Sequence, residues 1–125
     1  MTTRIAACAC GQLTVTCQGE PLIVSLCHCL ACQKRTGSTY GIGAFFPDAA
    51  IVANGVTRAY TRASDSGHDV TFHFCPVCGS TVWWQASRLP GMTAVAVGAF
   101  ADPQFPAPQQ AVYAEHRHDW VVVPE

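Results

Sequence analysis

Three cysteines fall within six residues, Cys27-His28-Cys29-Leu30-Ala31-Cys32, in a C-x-C-x2-C pattern. A segment that short cannot tie its thiols into separate disulfides, but it can wrap three thiolates around one metal ion. Zinc takes four ligands, and a site with three protein ligands keeps one position open for water or substrate. Two further pairs flank the cluster, Cys8-Ala9-Cys10-Gly11 upstream and Cys75-Pro76-Val77-Cys78-Gly79 downstream. Two plus two completes a closed tetrahedral set. The pattern predicts two zinc sites, one closed and structural, one open and available for chemistry.

The rest of the chain is read around that constraint. At 125 residues it is long enough for one core, so a single zinc-binding domain over 1–125 is expected. The start has no apolar stretch of signal-peptide length before Cys8, and no run reaches membrane-span length. The expected location is cytoplasmic, without membrane association. Thiols stay reduced there, which favours metal over a secreted disulfide scaffold for the eight cysteines. Net charge is -1 with no basic run, so the electrostatic footprint of a nucleic-acid binder is missing. Only 12% of residues are charged, which hints at a homo-oligomer interface or a large buried sheet.

The patterning is β. Leu13, Val15 and Cys17 alternate onto one face of a first strand, which makes Cys17 a core cysteine rather than a ligand. Leu22 to Leu26 runs straight into the triple-cysteine segment. Residues 30–36 suit a turn or two of helix closed by Gly37 as a C-cap. Tyr40 to Phe46 reads as a strand whose glycines, 41 and 43, signal a bulge or a close backbone approach. Asn54-Gly55 predicts a hairpin between Ile51-Val52 and residues 57–60, and residues 64–67 a turn. Further strands are expected at Asp69–Phe74, Thr81–Gln85 and Met92–Phe100, with a final pair at 111–115 and 120–123. Trp83 and Trp84 then point to opposite faces, one to core and one to a pocket or interface. The expected fold is mainly β: a compact, zinc-stapled sandwich or open-barrel-like domain of short antiparallel strands.

Within the closed set, glycine follows both cysteine pairs, as a knuckle turn with backbone amides aimed at sulfur requires. A shared metal would staple the N-terminal strand to the middle of the sheet. For the open set, His28 lies between two inward-facing cysteines and should point away, leaving Cys27, Cys29 and Cys32 as ligands. The competing arrangement is a second structural zinc completed by His116 or His118. Lys34 and Arg35 follow directly and are candidates to hold a substrate carboxylate, against the plainer reading of a solvated basic pair. Glu115 or His116 could serve as an acid or base; a polar edge is the simpler account of that segment.

The motifs C-x-C-G, C-H-C-x-x-C-Q-K-R-T-G, F-C-x-x-C-G-S and a late H-x-x-x-W, in this order from Cys8 to Trp120, resemble the glutathione-dependent formaldehyde-activating enzymes, a family that includes the centromere-protein-V-like proteins. The resemblance implies a mostly β zinc fold with Cys8, Cys10, Cys75 and Cys78 on a structural zinc and Cys27, Cys29 and Cys32 on a catalytic one. It implies a carbon–sulfur lyase condensing formaldehyde with glutathione to S-hydroxymethylglutathione, or running the reverse. Three thiolates would leave the open site with net charge -1 and weakened Lewis acidity. A thiol could enter it as thiolate, or the aldehyde oxygen could bind the metal, and the residues do not choose between these routes. The rival classes are a zinc-stapled interaction module without catalysis and a thiol redox sensor.

Overall fold

The computed structural model describes residues 2–64 and 67–122. Among the described residues, ten strands form two sheets. The smaller holds β1 (Thr3–Ala7), β2 (Thr14–Gln18) and β5 (Ile51–Asn54), in the order β1-β2-β5. The larger has seven strands in the order β10-β3-β4-β9-β8-β7-β6. These are β3 (Ile23–Cys27), β4 (Gly41–Pro47), β6 (Arg58–Ala63), β7 (Asp69–Phe74), β8 (Thr81–Ala86), β9 (Met92–Ala96) and β10 (Gln110–Val112). All pairings are antiparallel except β10 beside β3. The small sheet covers one face of the large one, giving a two-layer mainly β fold and no closed barrel. Ala6, Val15 and Cys17 from the first meet Val24, Ala44, Phe46 and Val95 from the second in one buried cluster. Leu13 and Phe46 are almost wholly buried there; each contributes roughly 1.5–3 kcal/mol. Cys17 is fully buried in this core, as its alternation predicted.

Strand register sorts the large sheet into a core face and a second face. Directly opposed residues on neighbouring strands share a face. One row runs Ile23, Phe45, Ala94, Trp84, Phe72, Tyr60 across six strands. The offset row, Val24, Ala44, Val95, Trp83, His73, points into or toward the core. Trp83 packs against the core and stacks on His73 at 3.6 Å. Trp84 lies on the opposite face, so the two tryptophans separate as expected.

The helix α1 (Leu30–Thr36) leaves β3 and lies against that second face. The Cys29 sulfur accepts from the Cys32 amide at its N-terminus, and Gly37 closes it in the left-handed region, φ 66°. Both ends match the sequence expectation.

Three expectations are corrected. Asn54-Gly55 does not turn a hairpin: β5 pairs with β2 and β6 with β7, in different sheets. The Gln12 side chain occupies the place of a partner strand, donating to the Val56 carbonyl (2.7 Å) and accepting from the Val56 amide (2.8 Å). The strand from Met92 ends at Ala96 and gives way to a 3-10 turn over Val97–Phe100. The final strand pair reduces to β10, which lies parallel to β3; Ala114–His116 is a 3-10 turn, residues 120–122 are not strand, and 123 lies outside the described residues. There the Arg117 guanidinium donates to the Val121 carbonyl at 2.6 Å, closing the end of the segment on itself. The turn expected over 64–67 includes 65 and 66, which also lie outside the described residues.

Candidate metal centres and the adjoining cavity

Cys8 and Cys10 sit in the turn after β1, and Cys75 and Cys78 in the turn between β7 and β8. The four sulfurs lie within 4.8 Å of one another. Cys8 to Cys10 is 3.6 Å and Cys10 to Cys75 3.7 Å. Tetrahedral zinc with Zn–S of about 2.3 Å requires sulfur separations of about 3.8 Å, so the donor set fits that ion. The two turns are built alike. Gly11 (φ 84°) and Gly79 (φ 79°) both take the left-handed conformation that favours glycine. Their amides return to the Cys8 and Cys75 carbonyls at 3.0 and 2.8 Å. Sulfur accepts from backbone in both turns, Leu13 N–H to Cys8 at 3.3 Å and Val77 N–H to Cys75 at 3.4 Å. Gln12 adds a side-chain donor to Cys75 at 2.9 Å. The Ser80 hydroxyl and amide bring the Cys78 thiol down to about 5.

The second cluster is Cys27 at the end of β3 with Cys29 and Cys32 at the first turn of α1, again with sulfurs within 4.8 Å. No fourth Cys, His, Asp or Glu joins it among the described residues. The hydrogen bond from Cys27 brings the Cys32 thiol down to about 5 against the opposing effect of burial, with help from Cys29 and Arg35. The same bond, with burial, pushes the Cys27 thiol up. A metal bound here would displace the thiol protons that remain. His116 and His118 stay outside the cluster. His28 is fully buried, edge-on to Tyr40 at 6.2 Å, with neither ring nitrogen hydrogen-bonded. It does not join the three sulfurs in their cluster.

All three cysteines line a cavity of about 100 Å³ whose floor is the second face of the large sheet. Phe72 and Trp84 form part of that floor, and Gly41 and Gly43 make room for it. A Cβ on Gly43 would stand 2.8 Å from Trp84 Cζ2, and one on Gly41 2.7 Å from Arg35 Nη2. The bulge or close backbone approach expected at these glycines is corrected: β4 keeps its register there, and side chains are what approach. Arg35 reaches in from α1 with its guanidinium 4.5 Å from the Trp84 ring and 5.1 Å from Phe72. Its Nε is buried without a hydrogen-bond partner. Lys34, on the exposed side of α1, does not line this cavity; it lines the neighbouring groove.

Arg62 from β6, Arg88 after β8 and Tyr113 after β10 also line the cavity and were not singled out by the sequence. Tyr113 has a left-handed backbone, φ 55°, a costly conformation for a non-glycine residue of the kind that clusters at functional sites. Arg62 carries no local signal; the β6–β7 pairing places it opposite Val70, two residues along from the Tyr60–Phe72 pair.

The chain is thus a two-layer β fold carrying a four-cysteine and a three-cysteine cluster, each of which could hold a metal ion. The chain belongs to the family described as "Glutathione-dependent formaldehyde-activating enzyme", whose sequence model matches residues 3–116. No curated protein matches it. Among solved structures it is similar to a Rhodobacter sphaeroides protein from a structural genomics programme, with 20% identity and a TM-score of 0.60. That match covers 76% of this chain and 85% of the other, and it bears on the fold alone. No helix among the described residues is long and apolar enough to cross a membrane.

Proposed function

We propose that the three-cysteine cavity is the active site of a zinc-dependent carbon–sulfur lyase. It forms or cleaves a thiol–aldehyde adduct, with glutathione and formaldehyde as the leading pair and a cytoplasmic setting. Cys8, Cys10, Cys75 and Cys78 hold a structural zinc; Cys27, Cys29 and Cys32 hold a catalytic one. The observation that carries the reading is the contrast between the clusters. One has four sulfurs, while the other has three, faces a cavity, and finds no fourth protein ligand among the described residues.

A zinc ion on three cysteines supplies a Lewis-acid position next to the reacting atoms. The residues around it do the rest. Arg35 offers a guanidinium with an unused Nε to a substrate carboxylate. Phe72 and Trp84 fix that guanidinium by stacking and keep water from the floor. Lys34, one residue earlier, adds charge at the edge. In the forward direction the thiol sulfur bonds to the aldehyde carbon, the C=O π pair moves to oxygen, and the thiol proton ends on that oxygen. No redox partner is needed.

The test is a metal count on the purified protein beside a thiol titration. Two zinc ions per chain, with three cysteines becoming reactive under mild chelation, support the reading. One zinc per chain with the three cysteines freely reactive would favour a redox sensor, and two equally tight zinc ions without activity an interaction module.

A further inference from the structure

The cavity at the three cysteines holds about 100 Å³. Pockets for whole ligands run to roughly 300–1,000 Å³, so this one takes the sulfur end of a substrate and little more. The remainder of the molecule needs a second place. A groove of about 500 Å³ adjoins it, and Arg35, Arg62 and Phe72 line both. The Phe72 ring is the shared wall, with the Arg35 guanidinium 5.1 Å and the Arg62 guanidinium 5.2 Å from its centre. Beyond it the groove is walled by Tyr60 and Phe74 and carries Lys34.

The charge pattern is one-sided. The chain has seven Lys and Arg and eight Asp and Glu. Four of those cations, Lys34, Arg35, Arg62 and Arg88, line the two compartments, and no described Asp or Glu does. In a chain of net charge -1 this is a concentration of positive charge on an aromatic floor, suited to anionic groups joined by an apolar or peptide body.

We infer that the groove is a second binding compartment, in which Arg62 and Lys34 take the anionic far end of a substrate whose sulfur lies at Cys27, Cys29 and Cys32. The substrate class is a thiol with an anionic group several bonds from sulfur; a short neutral thiol uses the cavity alone. Arg62 is the specificity-determining residue, standing where the compartments meet. The inference rests on the cavity being a thiol site, and the probes separate the two ideas.

The zinc-loaded chain is titrated calorimetrically with glutathione, S-methylglutathione and 2-mercaptoethanol, as wild type and Arg62→Gln. Arg62→Gln should weaken both glutathione forms about tenfold through the lost charge-assisted contact, and leave mercaptoethanol binding and zinc content unchanged. Equal weakening of all three ligands, or of none, overturns the inference, as does wild-type protein binding no probe. Arg62-dependent binding of S-methylglutathione with no added affinity for either free thiol keeps the groove and removes the thiol reading. Tight free-thiol binding that ignores Arg62 does the reverse. Should Arg62→Gln fail to fold, Lys34→Gln on the exposed side of α1 carries the same comparison.

Discussion

Replacing Cys8 by serine tests the closed site at one of its two buried cysteines. Cys8 is 4% exposed, stands 3.6 Å from Cys10, and accepts from the Leu13 amide. It also belongs to the core cluster that joins the sheets. A hydroxyl oxygen keeps neither the soft thiolate donor nor the reach of sulfur. Without it, the two turns are joined near the sulfurs chiefly by Ala9 N–H to the Ser80 hydroxyl and by the Gln12–Cys75 contact, 3.1 and 2.9 Å. Hydrogen bonds of that kind contribute about 1 kcal/mol each. A structural zinc contributes on the order of 10–16 kcal/mol in small zinc modules. Domain stabilities are about 5–15 kcal/mol, so losing most of the metal term leaves little margin. Even a loss of about 5 kcal/mol should lower the melting midpoint by roughly 15–30 °C. Circular-dichroism melting beside zinc analysis reads both quantities. The expected result is insoluble protein, or one zinc fewer with a collapsed midpoint. A Cys8→Ser protein that melts with wild type would show that these four cysteines share no structural metal.

The other cluster should respond differently. Cys29→Ser should lower zinc content and abolish activity while the protein stays folded; unfolding as severe as with Cys8→Ser would make both sites structural. Arg35→Ala should weaken glutathione binding roughly ten- to a hundred-fold in calorimetric titration, with Lys34→Ala weaker in effect because Lys34 lies outside the cavity, and zinc content unchanged in both. Wild-type affinity in both variants would discard this pair as the carboxylate clamp. Gly43→Ala should push Trp84 from its place through the 2.8 Å contact, cost about 1–3 kcal/mol, and shift tryptophan fluorescence with a loss of ligand affinity. An unchanged spectrum and affinity would show that the floor can move aside freely.

The parts legible in the sequence were those encoded over a few residues. The C-x-C and C-x2-C spacings pick out the seven cysteines that the fold gathers into two clusters able to hold metal. Leu13, Val15 and Cys17 show the core face by alternation, and Gly37 marks the helix end by its left-handed backbone. The parts that were not legible depend on how the strands pair and on contacts between segments far apart in the sequence. Arg62 and Arg88 carry no local signature; they reach the cavity because β6, β7 and β8 lie side by side. Asn54-Gly55 carried a strong hairpin signature, and Gln12, far away in the sequence, overrode it by bonding both backbone groups of Val56. Tyr113 had no signal at all, since only the packed structure shows its left-handed backbone beside the cavity.

The most direct measurement is exchange-resolved NMR of glutathione and formaldehyde at equilibrium with S-hydroxymethylglutathione, with and without zinc-loaded protein. The account predicts that wild type accelerates the interconversion above the uncatalysed rate and that Cys29→Ser, still folded on its first zinc, does not. Interconversion at the uncatalysed rate with wild-type protein carrying two zinc ions would contradict it.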